Sequence, residues 1–206
     1  DELLKMPRSE DVSENILGRR GVSDAIRAAA LENLAKLRKI QPVALLLQTI
    51  ESPAEIDVRA VGRLLLAQTP EALHAHRAPL LKLALADNAE GRSYGWAAVA
   101  RADNSLDAAW QEAAGSPLSL ASLLGGIPLI PAAALRSTAF ERVMAILAQN
   151  ITDIQGPDGI VAAIQRDAIR SAVSTRREPA AVFTALGTLI ERGYQVPTAA
   201  QGIRAL

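Results

Sequence analysis

Three times along this chain a hydroxyl residue is followed directly by proline at the head of an apolar run: Ser52-Pro53, Thr69-Pro70 and Ser116-Pro117. A Ser or Thr oxygen can accept from the free N–H groups of a helix's first turn. Proline at the next position loses nothing, because its missing N–H would be unpaired there. Glu55 completes a capping box with Ser52, and Glu71 places negative charge at a positive helix end. A chain punctuated this way reads as a series of short helices. Composition agrees. Half the residues are hydrophobic but only 3% are aromatic, and Ala and Leu, strong helix formers, dominate. The β-branched and aromatic residues that sheets favour are sparse.

The clearest helix runs from Ser23 to Lys39. Ile26, Ala30, Leu31, Leu34 and Leu37 recur at three-four spacing and predict one inward stripe. Ser23 is its expected cap. A second helix follows from Pro42, with Val43, Leu46, Leu47 and Ile50 inward. The link is a few residues long, which predicts antiparallel neighbours. The capping box at Ser52 predicts a helix through Val58, Val61, Leu64 and Leu65. Thr69 predicts another, with a kink or break near Arg77 because Pro79 lies inside it. Further helices are expected from Arg92 to Ala102, through Leu106 and Trp110, and from Ser116 to Gly125-Gly126. Pro131 to Gln149 reads as one long helix with Leu135, Phe140, Val143, Met144 and Leu147 inward. Asn150 to Gly159 reads as a loop. Gly159 to Val173, Pro179 to Arg192 and Pro197 to Leu206 close the series, making about eleven helices.

Pairs begin near Ser23, Ala54, Arg92, Gly159 and Pro197, at irregular intervals within the range of helical repeats. Asp57-Val58-Arg59-Ala60-Val61-Gly62-Arg63-Leu64 resembles the first helix of a HEAT repeat. Asp24 to Leu31 and Asp167 to Val173 are looser versions. The resemblance implies an all-α, irregular right-handed α-solenoid of antiparallel helix pairs, HEAT/armadillo-like, in which Asp and Arg side chains pair between neighbouring repeats. One helical-repeat domain is expected over residues 1–206. Residues 1–22 would be a lead-in helix, 23–149 the main repeats and 158–206 the C-terminal repeats. The chain opens DELLKMP, without an initiator Met or the features of a signal peptide, and its last helix reads as half a pair. A fragment of a longer chain is the expectation.

Four segments together look like the helical region of planctomycete-type multidomain proteins. They are Arg19-Arg20-Gly21-Val22, the Leu-rich run 30–37, Ala102 to Trp110, and Ile127-Pro128-Leu129-Ile130-Pro131. In that family such a region lies beside c-type haem, dehydrogenase-like propeller or copper domains. The resemblance implies a scaffold segment of a secreted or periplasmic redox protein. With no Cys and only two His, no haem or blue-copper ligand set carries over.

Lys+Arg and Asp+Glu are both 22, and the balance holds on either side of Asp103. Nucleic-acid binding usually leaves a basic excess, so a nucleic-acid partner is not expected. The stretch from Ala113 to Leu135 carries no charge, but Pro117, Gly125, Gly126, Pro128 and Pro131 break it, and no membrane span is expected. The absence of Cys excludes disulfides and thiolate chemistry. His74 and His76 are two apart, which splays them about 200° round a helix, not the three-four spacing of a metal pair. Asp103-Asn104-Ser105-Leu106-Asp107 begins like a calcium loop, but Ala108 and Ala114 stand where that loop needs Gly and Glu; a turn and helix cap is expected. Tyr94, Trp96 and Trp110 read as a local core or, less economically, a binding patch. Arg166, Arg170, Arg176 and Arg177 read as cations gathered toward a helix C-terminus, with anion capture as the alternative.

No catalytic, cofactor-binding or metal residue is therefore assigned, and no cofactor. The expected function is a non-catalytic scaffold contacting another protein or neighbouring domains of its own chain. The alternative is a HEAT-like nucleic-acid-binding or base-repair enzyme, which would need a basic groove and a carboxylate beside Trp96 or Trp110.

Overall fold

The computed structural model describes residues 9–52, 55–149 and 156–206. These are all-helical, with no strand among them. The elements are α1 (Glu10–Gly18), α2 (Asp24–Arg38), α3 (Pro42–Glu51), α4 (Val58–Leu66), α5 (Pro70–His74), α6 (Arg77–Ala84) and α7 (Ala89–Ala102). Then come α8 (Asp107–Ala114), α9 (Pro117–Gly126), a single 3-10 turn (Ile127–Leu129), α10 (Ala133–Ser137), α11 (Phe140–Ala148), α12 (Asp158–Thr175), α13 (Pro179–Glu191) and α14 (Val196–Ala205). That exceeds the expected eleven, because the expected lead-in helix, α1, is counted apart from them and two expected helices are split.

The split between α5 and α6 falls at Ala75 and His76, where Pro79 predicted a break. The ring of Pro79 would meet the carbonyl of Ala75 in a continuous helix, and its nitrogen could not donate to it. The split between α10 and α11 corrects the single helix expected from Pro131 to Gln149. There the hydroxyls of Ser137 and Thr138 donate to the carbonyls of Ala134 and Leu135, at 2.7 and 2.8 Å. Hydroxyl bonds to nearby carbonyls compete with the helix ladder.

Caps behave largely as the residue types dictate. Ser23, Thr69 and Ser116 accept from the backbone N–H groups of Ile26, Ala72 and Ser119. The expected capping box does not open α4. Ser52 instead ends α3, and α4 starts later, with Asp57 accepting from the N–H of Ala60 at 3.0 Å. Pro53 and Ala54 lie outside the described residues, as does most of the expected loop from Asn150 to Gly159. Leu37, expected inward, is 52% exposed; it sits in the last turn of α2, beyond the packed stretch Ala30–Leu34.

Most consecutive helices pack on each other, and a second set of contacts skips along the chain. α4 packs on α7, α7 on α9, α9 on α12 and α12 on α14, while α3, α6, α8, α11 and α13 lie alongside. One large core runs through this relay. A smaller one, of Val12, Ile16, Val22 and Ala30, joins α1 to α2.

The centre is α7. Its residues from Tyr94 to Ala100 are all buried, so it has no solvent face over two turns. Small residues make this possible. A Cβ on Gly95 would lie 2.5 Å from the backbone nitrogen of Ala84 on α6, and one on Gly126 of α9 would lie 2.5 Å from the carbonyl oxygen of Ser93. A Cβ on Gly62 of α4 would lie 2.5 Å from the ring of Tyr94. Backbone therefore rests nearly on backbone, and one methyl group forces the helices apart.

Gly95→Ala is expected to lower unfolding free energy in urea by about 3 kcal/mol, the upper end for overpacking. Gly187→Ala is the matched control. It lies inside α13 with nothing within 4 Å of the new methyl, and is expected to add about 0.5–1 kcal/mol by helix propensity. Equal effects from the two would show that close approach at α7 is not what Gly95 provides.

Candidate functional site

The charged side chains most drawn into the structure hold helices together. Arg27 of α2 is fully buried. Its guanidinium donates to the carbonyls of Ile16, Leu17, Arg19 and Val22, at and beyond the end of α1. Those carbonyls include ones left without a partner by helix geometry. Arg101 of α7 donates to Leu66 and Gln68 at the end of α4. Arg92 donates to Ala86 and Asp87 past the end of α6, and to the hydroxyl of Ser122. Arg136 donates to Ile130, Pro131 and Ser174. Burial pushes the affinity of Arg27 and Arg101 for their protons below the ordinary arginine value; even so, guanidinium stays charged at neutral pH.

A second set joins helices through carboxylates. Arg63 of α4 donates to both oxygens of Asp24 on α2, at 3.0 and 2.8 Å. In return Arg27 of α2 lies 3.7 Å from Asp57, the cap of α4. Arg59 pairs with Glu90 on α7 at 2.5 Å. Arg77 donates to Asp103 at 2.9 and 3.0 Å and to Glu112 at 3.0 Å, tying α6 to the end of α7 and to α8. The third HEAT-like segment behaves differently. Asp167 pairs within its own helix, with Arg166 at 2.7 Å and Arg170 at 3.4 Å.

The other sequence candidates separate. Trp96 is fully buried and Tyr94 nearly so, which is the core reading. The Trp96 Nε1 is buried with no protein hydrogen-bond partner. Trp110 lies partly buried against the core, with the guanidinium of Arg142 over its ring, 5.5 Å from the centroid. Arg142 also pairs with Asp107 at 2.6 Å, and that bond holds the carboxyl below its usual range. A general base needs a pKa nearer the working pH. Asp103 ends α7, Asn104 turns with φ 46°, and the Ser105 hydroxyl accepts from the N–H of Asp107 at 3.0 Å. The formal cap of α8 is therefore Leu106. His74 is exposed, 3.7 Å from Asp103, and the His76 ring nitrogen sits 3.1 Å from the carbonyl of Ala72. Among the described residues no three His, Asp or Glu are grouped to hold a metal, and no helix is long and apolar enough to cross a membrane. Arg177 lies 4.9 Å over the ring of Phe140 and 3.7 Å from Glu141. Arg176 is the left-handed residue that ends α12.

The carbonyl-clamping arginines are what the sequence reading missed. A signal exists for two of them. Arg27 precedes Ala30, Leu31 and Leu34 at three-four spacing, so it lies on the buried stripe itself. Arg101 follows Ala97 by four.

A groove of about 680 Å³ lies among α1, α2, α3 and the segment before α4. Asp11, Glu14 and Asn15 line one side, Gln48 and Thr49 the other, with Arg38 and Glu55 at its margins. Arg38 is held across it by Glu10 and Glu14, at 2.6 and 2.5 Å. The groove is polar and open, and it does not juxtapose a nucleophile with a base.

No family model matches the sequence, and no curated protein or solved structure matches it.

Two substitutions test the electrostatic framework. Arg27→Met is expected to cost about 3 kcal/mol, because it strands buried carbonyls. Arg27→Lys should recover little, since an ammonium cannot span the same fork. Faster hydrogen exchange in α1 is the accompanying readout. The Arg63 hydrogen bond lowers the pKa of Asp24. A depressed carboxyl stabilises the fold above its unfolded value of about 4 and loses that contribution as pH falls through the folded value. Wild type and Arg63→Gln should thus differ by less than about 1 kcal/mol at neutral pH, the pair being solvent-screened. Their stabilities should converge in acid below about pH 4.

Proposed function

We propose that this chain is a non-catalytic helical-repeat scaffold: an irregular right-handed α-solenoid of antiparallel, HEAT/armadillo-like pairs that docks a polypeptide segment in the α1–α3 groove. Two features support the solenoid reading. The α4–α7–α9–α12–α14 relay gives each helix a successor of the same kind. The reciprocal pairs Asp24–Arg63 and Arg27–Asp57 join two segments of similar sequence.

The single observation that carries the function is where polar side chains gather around open space. Elsewhere the buried and half-buried arginines are spent on carbonyls and neighbouring carboxylates. The groove gathers carboxylates and amides around a space of about 680 Å³; Glu14 pairs with Arg38 and Glu55 with Arg20, but both carboxylates stay exposed to solvent. Asp11, Glu14 and Glu55 outnumber Arg19 and Arg38 there, which suits a segment carrying Lys or Arg. The partner would be another protein or a neighbouring domain of the parent chain. The resemblance to planctomycete-type multidomain proteins makes a periplasmic or secreted redox protein the preferred setting. The base-repair alternative draws less support, since Trp96 is buried and the carboxylate near Trp110 is neutralised by Arg142.

The test is affinity capture and cross-linking with the intact parent chain, using wild type and the double variant Asn15→Arg, Gln48→Arg. Both substitutions keep good helix formers on α1 and α3. A partner segment bound by wild type and weakened about tenfold or more by the double variant supports the reading. Absence of any protein contact removes the scaffold, and equal capture by both forms removes the groove.

A further inference from the structure

A second, smaller cleft lies where α7, α9 and α12 meet, apart from the docking groove. Its volume is about 170 Å³, the scale of a molecule of a few heavy atoms. One wall is apolar: Leu118 and Ala121 of α9 face Ile160 and Ala163 of α12. Leu118 is 42% exposed, although it stands in the first turn of a helix that is otherwise mostly packed. The other wall is cationic, formed by Arg92 and Arg166.

Both arginines are fixed rather than waving in solvent. Arg92 is held through Nε and Nη1 by Ser122, Ala86 and Asp87. Arg166 is held through Nε and Nη2 by Asp167, at 3.0 and 2.7 Å. Among the described residues, each keeps one terminal nitrogen without a protein bond, Nη2 of Arg92 and Nη1 of Arg166. The Asp167 carboxylate also lines the cleft, but its charge is answered by Arg166 and again by Arg170. Two guanidinium groups therefore line the cleft beside one carboxylate, which Arg170 pairs with from outside it.

The head of α12 adds to the field. This 18-residue helix begins at Asp158 after Pro157, with no side-chain cap. Gly159 lines the cleft, and a Cβ there would meet nothing within 4 Å, so first-turn backbone faces open space. Free N–H groups and the helix dipole both favour an anion at such an end. A pocket with one apolar wall and a few convergent polar donors is the usual form of a small-molecule site.

We propose that this cleft binds a short-chain organic carboxylate, its anion on Arg92 and Arg166 and its hydrocarbon on Leu118, Ala121, Ile160 and Ala163. The apolar wall distinguishes this ligand from bare inorganic phosphate, and the arginines distinguish it from a neutral molecule. For so few heavy atoms the affinity is millimolar.

The experiment is a nuclear magnetic resonance titration of the full chain, labelled with ¹⁵N, using butyrate, butyramide and inorganic phosphate as probes. Butyrate should shift the amides of Ser93 and Gly159 saturably, in the millimolar range. Butyramide should not. Arg166→Gln should weaken butyrate by about tenfold or more. Ala163→Leu fills the apolar wall and leaves every arginine in place, so it should remove butyrate binding in a chain whose helical circular dichroism is unchanged. The proposal is overturned if butyrate leaves these amides unmoved, if butyramide shifts them equally, if phosphate binds and butyrate does not, or if Ala163→Leu still binds.

Discussion

The fold depends on how closely backbones can approach α7. A helix buried on every side must present little bulk, and Gly95, Ala97, Ala98 and Ala100 supply little. Gly62 and Gly126 make the matching concession on α4 and α9. Such residues bury little apolar area each. The attraction comes instead from many backbone and methyl contacts at short range, where dispersion is strongest. Trp96 is the exception, a full-sized ring filling the space that small residues leave. Its buried Nε1 has no protein hydrogen-bond partner among the described residues, so it is packing of the ring that fixes it there.

Close packing of short helices raises a second problem. Every helix ends with carbonyls that lack partners, and this chain has many ends for its length. In several places the solution is a guanidinium reaching from another helix. Arg27, Arg92, Arg101 and Arg136 each bond two or more carbonyls at or near helix ends. The fork geometry of Arg lets one side chain serve several acceptors and link elements distant in sequence.

The all-α class, most helix starts and the break before Pro79 were legible, because capping, proline geometry and three-four spacing are local effects. The stripe of α3 is buried as read, at Val43, Leu46, Leu47 and Ile50. What was not legible depends on groups far apart in the chain. The late start of α4 reflects Asp57 outcompeting the Ser52 box as a cap. The split at Thr138 reflects hydroxyls choosing carbonyls. The clamp by Arg27 joins residues whose meeting no periodicity announces, although its place on an apolar stripe hinted at burial. The groove and the cleft were invisible for the same reason: each is assembled from three or more helices.

The relay of contacts has a consequence for how the molecule comes apart. Each helix leans chiefly on near neighbours in sequence, so the chain does not have to close long loops before its contacts begin to form. Folds rich in local contacts assemble quickly for that reason. The same economy braces helices unequally: α14 rests on α12 and α13, whereas α7 is braced by helices before and after it. Opening can therefore begin at the less braced helices and stop short of α7, giving a graded series of partly open forms. A protein of this kind could lose its outer helices to a protease while α7 and its neighbours remain folded.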